Sequence, residues 1–301
     1  MSGVPLDLPF ASGSEPQHPR SDRLQRATAA GTVRATTNAA ARLGQAKLRA
    51  LEARLSERDR AVLRSVGELR LATSKQLEAL HFADAATPLT AARKGRRSLR
   101  RLAEFGLLRR LDRLIGGLHA GSAAYIYVLT SAGQRLLDEP GTRRRPFEPS
   151  LPFVSHTLAI ADLYVALHGR ARVERHIELL DLQTEPRCWR AWSGLSGERQ
   201  LLRPDLYLAA TVGADELRWF VELDLGSEHR PALVRKARAY QRYFDSGIEQ
   251  QREGLFPRVA WVVPDEQRAM QLVGAFTADL DLTGELFAVL LQAEAAERLT
   301  E

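Results

Sequence analysis

The sequence predicts two folded halves, the first α+β and the second α/β with a mixed sheet, and three observations carry that reading. Helical periodicity dominates from residue 56 to residue 106 and then yields to two short extended runs. From residue 153 on, apolar strands alternate with amphipathic helices, the pattern of a sheet with helices packed on it. The charge also divides: residues 1–150 hold 26 Lys and Arg against 14 Asp and Glu, a net +12, whereas residues 151–301 hold 17 against 23, a net −6. A length of 301 residues, 45% of them apolar, is enough to build a core in each half.

Residues 1–50 are rich in Ser, Thr, Ala, Gly, Pro and Arg without a durable apolar period, so they are expected to form a flexible basic arm. The first helix follows Ser56 as its cap and carries Val62, Leu63 and Val66 on one stripe. Thr73 and Gln76 have the spacing of a capping box and open a second helix across a tight turn at 70–72. The third helix has Thr87 as cap, Pro88 at its first position and Gly106 as the left-handed stop. "LLRRLDRLI" and "AAYIYVLT", joined by the Gly-rich "GGLHAGS", read as a β-hairpin. Three helices and a hairpin make a winged helix-turn-helix over residues 51–138, with its caps, stripes and hairpin complete between Ala50 and Pro140. The proline-rich stretch 139–152 is a linker.

The second half, 153–301, begins with the helix "HTLAIADLYVALHG", expected to stop at Gly169. His156 near its start is read as a capping or surface residue, with an approach to the sheet as the alternative. Strands are expected at "RVERHIELLDLQ", "PDLYLAAT", "ELRWFVELD", "RVAWVVP" and "ELFAVLL", with helices at "RPALVRKARAYQRYF" and around 267–276.

The third helix carries the strongest functional signal of the first half. Directing Leu89, Ala92, Leu99 and Leu102 to the core turns Thr90, Arg93, Lys94, Arg97 and Arg101 outward, with Arg96 and Arg100 at the edges. The helix after the turn is the one that enters the major groove, where Arg bonds guanine edges and Lys or Arg neutralise phosphates. Arg109, Arg110 and Arg113 add a basic wing. Duplex DNA is therefore the expected partner. Cys188, the single cysteine, excludes a disulfide framework and a cysteine-rich zinc site. No apolar run approaches the ~20 residues that span a bilayer, and no leader precedes the folded part, so a cytoplasmic protein without a membrane partner is expected.

In the second half, Asp205 opens one strand and Glu222 and Asp224 end the next on a shared face. Carboxylates so placed can converge on Mg²⁺, which polarises a phosphodiester and activates water. "RPDLYL" followed by "FVELD" resembles the signature of the PD-(D/E)XK nuclease superfamily. The resemblance implies Asp205, Glu222 and Asp224 as the acidic and metal-binding positions, with Mg²⁺ as cofactor only if the site is active. Asp224 stands where that superfamily has lysine, which implies a degenerate site unless Lys236 on the following helix takes the role.

From about Ser56 to Val263 the chain is also similar to the replication-relaxation family of plasmid and mobile-element proteins, through "LRRLAEFGLLRR", "YVLTSAG", "HTLAIADLYVAL", "RPDLYL", "FVELDLGSE" and "KARAYQRYF" in that order. This resemblance implies DNA binding in replication or relaxation, with a replication partner protein or a second copy as companion. Two alternatives stand beside it: an active Mg²⁺-dependent endonuclease or nickase, and a transcriptional regulator whose α/β half serves for dimerisation.

Overall fold

The computed structural model describes residues 44–111, 125–137, 150–194 and 197–301. Helix α1 (Gln45–Glu52) opens the described chain and buries Leu48 and Leu51, so it lies largely inside the stretch expected to be arm. With only two core residues in eight, α1 has too little apolar period to be read from sequence. Helix α2 (Glu57–Glu68) is closed by a capping box between Ser56 and Asp59. Arg70 then adopts φ 65°, turning the chain into the two-residue strand β1 (Ala72–Thr73). Helix α3 (Ser74–His81) has the expected box of Thr73 and Gln76, and α4 (Pro88–Glu104) the expected Thr87 cap and leading proline. Gly106, at φ 71°, stops α4 in the left-handed conformation. Strands β2 (Leu108–Leu111) and β3 (Ile126–Leu129) pair antiparallel, and β1 adds to β3, giving the sheet order β1-β3-β2. Arg113 and the Gly-rich loop lie outside the described residues. Helix α5 (Ser131–Leu137) ends this half.

Helix α6 (Leu151–Val173) begins within the expected linker and runs through Gly169 rather than stopping there. A glycine inside a helix costs about 1 kcal/mol, and the packing of Leu163 and Leu167 on one side and Tyr164 on the other outweighs it. Strand β4 (Ile177–Thr184) follows, then a hairpin of β5 (Arg190–Ser193) and β6 (Arg199–Leu202) that the sequence reading did not anticipate. The expected strands appear as β7 (Leu206–Val212) and β8 (Asp215–Leu223). Helix α7 (Arg230–Asp245), the short α8 (Ile248–Glu253), β9 (Arg258–Val263), α9 (Glu266–Thr277), β10 (Phe287–Leu291) and α10 (Ala295–Arg298) complete the chain.

The main sheet has the order β10-β9-β8-β7-β4. β7 pairs antiparallel with both β4 and β8, whereas β9 pairs in parallel with both β8 and β10, so the sheet is mixed. Alternation along β7 and β8 sends Leu206, Leu208, Trp219, Val221 and Leu223 to the face covered by α6 and α10. Tyr207, Ala209 and Phe220 go to the opposite face, under α7 and α9.

The two halves share α6. Val154, fully buried, packs with Leu71, Leu111, Ile126 and Val128 of the first half. The Gln76 amide, whose oxygen accepts the Thr73 N–H, donates to Leu158 O at 3.1 Å and to Asp162 at 2.7 Å. Arg172 donates to the carbonyls of Ala79 and Leu80, the last acceptors of α3. Glu68 takes bonds from Thr184 N–H and Arg187, and Arg70 pairs with Glu185. The core of the first half therefore extends beyond the span Ala50–Pro140 that the sequence marks as complete.

Candidate nucleic-acid interface and acidic cluster

On α4, Gly95 faces α3, where a Cβ would fall 2.7 Å from Glu78 Cγ and the Glu78 side chain would have to shift. Gly95, Ser98, Leu99 and Leu102 are buried. Arg93, Lys94, Arg96, Arg97 and Arg100 are exposed on the other side. Arg100 lies 3.6 Å from Glu104. Thr90 is half-buried, its hydroxyl bonded to that of Thr87 at 2.9 Å.

Two expectations for this helix are corrected. Leu89 is not a core residue: it is 59% exposed, because it lies on the first turn, about 9 Å before Gly95 along the axis, on the outward side. Arg101 stands on the outward face only in part: its side chain is 43% exposed. Its guanidinium pairs with Asp59 of α2, at 2.5 Å and 2.7 Å from the two carboxylate oxygens. Asp59 is buried and also accepts from Ser98, Ser56 N–H and Ser56 Oγ. Burial works against the Asp59 charge, but Arg101, Ser56 and Ser98 outweigh it and hold the carboxyl below its ordinary range. Arg101 thus ties α4 to α2. On the small sheet, Arg110 is exposed and stacks on the Tyr125 ring at 4.2 Å, and Arg109 is half-buried.

In the second half the acids gather where β7 begins and β8 ends. Asp205 Oδ2 accepts the Leu223 N–H at 2.8 Å, and Oδ1 shares a 3.0 Å hydrogen bond with His156 Nε2 from the first turns of α6. Glu222, 2% exposed, accepts from Tyr240 Oη at 2.6 Å and from Lys236 Nζ at 3.0 Å. Lys236 Nζ also lies 2.9 Å from Glu228. Asp224 parts from this group: its carboxylate accepts Arg268 Nε from α9 at 2.6 Å and the Gly226 N–H at 2.9 Å. Arg268 is held in place by a further bond to the Glu228 carbonyl.

These surroundings set the charges. Burial first, and the Asp205 carboxylate second, push the Glu222 carboxyl up to about 7 against the pull of Lys236 and Tyr240. Burial disfavours the Lys236 ammonium, but Glu222, Asp205 and Glu228 together hold its proton above the ordinary lysine range. The bond to Asp205 raises His156, against its own burial.

The structure thus brings Asp205, Glu222 and Lys236 together and sends Asp224 to a separate cation. Each oxygen of Asp205 and Glu222 already faces an N–H, an imidazole, a hydroxyl or an ammonium. Among the described residues no group of three or more His, Cys, Asp or Glu is placed to hold a metal ion. The donors present do not fit Mg²⁺ as they stand; the cluster is neutralised by its own lysine and arginine. Sequence reasoning missed Tyr240 and Arg268 as members, and His156 joins the cluster by the lesser of its two readings. Tyr240 was discoverable, since it lies four residues after Lys236 on one face of α7. Arg268, 44 residues from Asp224, left no local signal.

No curated protein and no solved structure matches the chain. A family model described as Replication-relaxation matches residues 63–259, from within α2 to the start of β9. That span takes in α4, the shared helix α6 and the whole acidic cluster except Arg268, and on this match the chain belongs to the replication-relaxation family.

Proposed function

We propose that this protein binds duplex DNA in plasmid or mobile-element replication or relaxation. In this reading the first half is a winged helix that docks α4 in the major groove, and the second half is a nuclease-like domain whose acidic site is degenerate. The observation that carries the proposal is the outward face of α4, where Arg93, Lys94, Arg96, Arg97 and Arg100 stand exposed while Gly95, Ser98, Leu99 and Leu102 anchor the helix. A helix that follows a helical turn and presents cations outward suits groove and phosphate contacts. The order of α2, β1, α3, α4, β2 and β3 supports the winged-helix reading. The test is binding of the full chain to a labelled mixed-sequence duplex over a range of salt. Affinity that falls steeply with salt is expected; no binding at low salt overturns the reading.

One observation favours a second reading, in which the acidic half cuts DNA: Lys236 lies beside Glu222, so an acid, an acid and a lysine do meet. A divalent ion would have to displace that ammonium. Incubating supercoiled plasmid with the protein, with and without Mg²⁺, separates the two. Intact plasmid is expected, and nicking that Lys236→Ala abolishes would establish the second reading instead.

A further inference from the structure

We infer that Leu89 is a specificity residue that reads the 5-methyl group of thymine in the major groove; the inference rests on the DNA-binding reading of α4. Among the described residues of the first half, the large hydrophobic side chains that stand exposed are Leu89, at 59%, and Tyr125, at 47%. Tyr125 is covered by the Arg110 guanidinium. Leu89 has no such cover, and it sits in the midst of the charge. At about 100° per residue, Arg93, Arg96 and Arg100 all lie within about 40° of Leu89 around the axis of α4. A leucine at the centre of a cationic stripe stands apart from the core, to which α4 contributes Ala91, Leu99 and Leu102.

Its place along the helix adds the second argument. Leu89 follows Pro88 on the first turn, and the N-terminal residues of a helix docked in this manner are the ones that reach base edges. The flanking arginines suit phosphates and guanine edges, whereas an apolar side chain has one apolar counterpart on the groove floor, the thymine methyl. Thr90, its neighbour, is half-buried, so Leu89 is the more accessible apolar side chain of this turn.

The experiment uses the full chain and duplexes that it selects from a random-sequence pool. In the selected site each thymine is replaced in turn by uracil, which removes only the methyl group, and affinity is measured for wild type and Leu89→Ala. Burial of one methyl predicts that uracil weakens wild-type binding about fourfold at one or two positions. Leu89→Ala, altered at an exposed site, should bind these thymine duplexes more weakly, lose the discrimination and keep the salt dependence. Equal uracil effects in both proteins, or no position at which uracil matters, would overturn the inference while leaving DNA binding intact. Failure to select or hold any duplex at low salt would overturn the DNA-binding reading, and the inference with it.

Discussion

Lys236, on the second turn of α7, holds its ammonium 3.0 Å from Glu222 at the end of β8 and 2.9 Å from Glu228. One cation thereby serves two carboxylates, one of them buried. Removing it by Lys236→Ala takes away the cation that favours the Glu222 charge, so at pH 8 Glu222 must either stay charged beside Asp205 or take up a proton. Because the lysine is itself partly exposed, the loss should be at the low end for a broken buried pair, about 2 kcal/mol at pH 8. At pH 5, where Glu222 is protonated, the loss should shrink. Urea unfolding at the two pH values checks this, and an equal loss at both contradicts it.

The pH dependence of stability should carry the mark of Glu222. Its folded pKa, about 7, exceeds the value of about 4.3 for an unfolded glutamate, so the folded state holds the extra proton between them. The contribution is complete below about pH 4.3 and is lost as pH rises through 7. Glu222→Gln should flatten that decline. A stability profile from pH 4 to 8 that keeps the same slope in the variant would show that the decline comes from other groups.

Asp59 has the opposite sign. Its carboxyl is held below the ordinary range, so its contribution is present above about pH 3.9 and is lost as pH falls through the lower folded value. Asp59→Asn removes the charge that Arg101 meets and weakens the cap of α2. About 2 kcal/mol should be lost at pH 7, with wild type and variant converging in acid. Parallel curves at all pH values would contradict this.

Val154 links the halves. Val154→Ala removes methyl groups from a site fully enclosed by Leu71, Leu111, Ile126 and Val128, and should cost about 2 kcal/mol. The same packing predicts that a fragment of residues 50–140, which leaves this pocket open and Gln76 without its partners on α6, unfolds without a cooperative transition. A sharp, two-state melt of that fragment would show that the first half stands without α6.

What could be read from sequence was short-range. Ser56, Thr73 with Gln76, Thr87 with Pro88, and Gly106 act on backbone groups within about a turn, and each sits where its spacing predicts. Strand alternation put Glu222 and Asp224 on one face, yet their carboxylates meet different cations. What escaped was decided by partners far along the chain. The Arg101 guanidinium is engaged by Asp59, 42 residues away, and Leu89 is 59% exposed on the side of α4 away from its buried stripe. The β5 and β6 hairpin consists of four-residue strands with arginine and glutamine among them, too short to show a period. The division of the acids between Lys236 and Arg268 depends on two different helices crossing one sheet face.

The central claim, that α4 carries the DNA contacts, is tested most directly by the salt dependence of duplex binding in Arg93→Ala/Arg97→Ala. Both residues are exposed, so the variant should melt as wild type does. Each phosphate contact removed lowers the slope of log K against log salt by about 0.9, so a loss of about 1 to 2 in slope, with weaker binding, is predicted. Unchanged affinity and slope in the folded double variant would contradict the account.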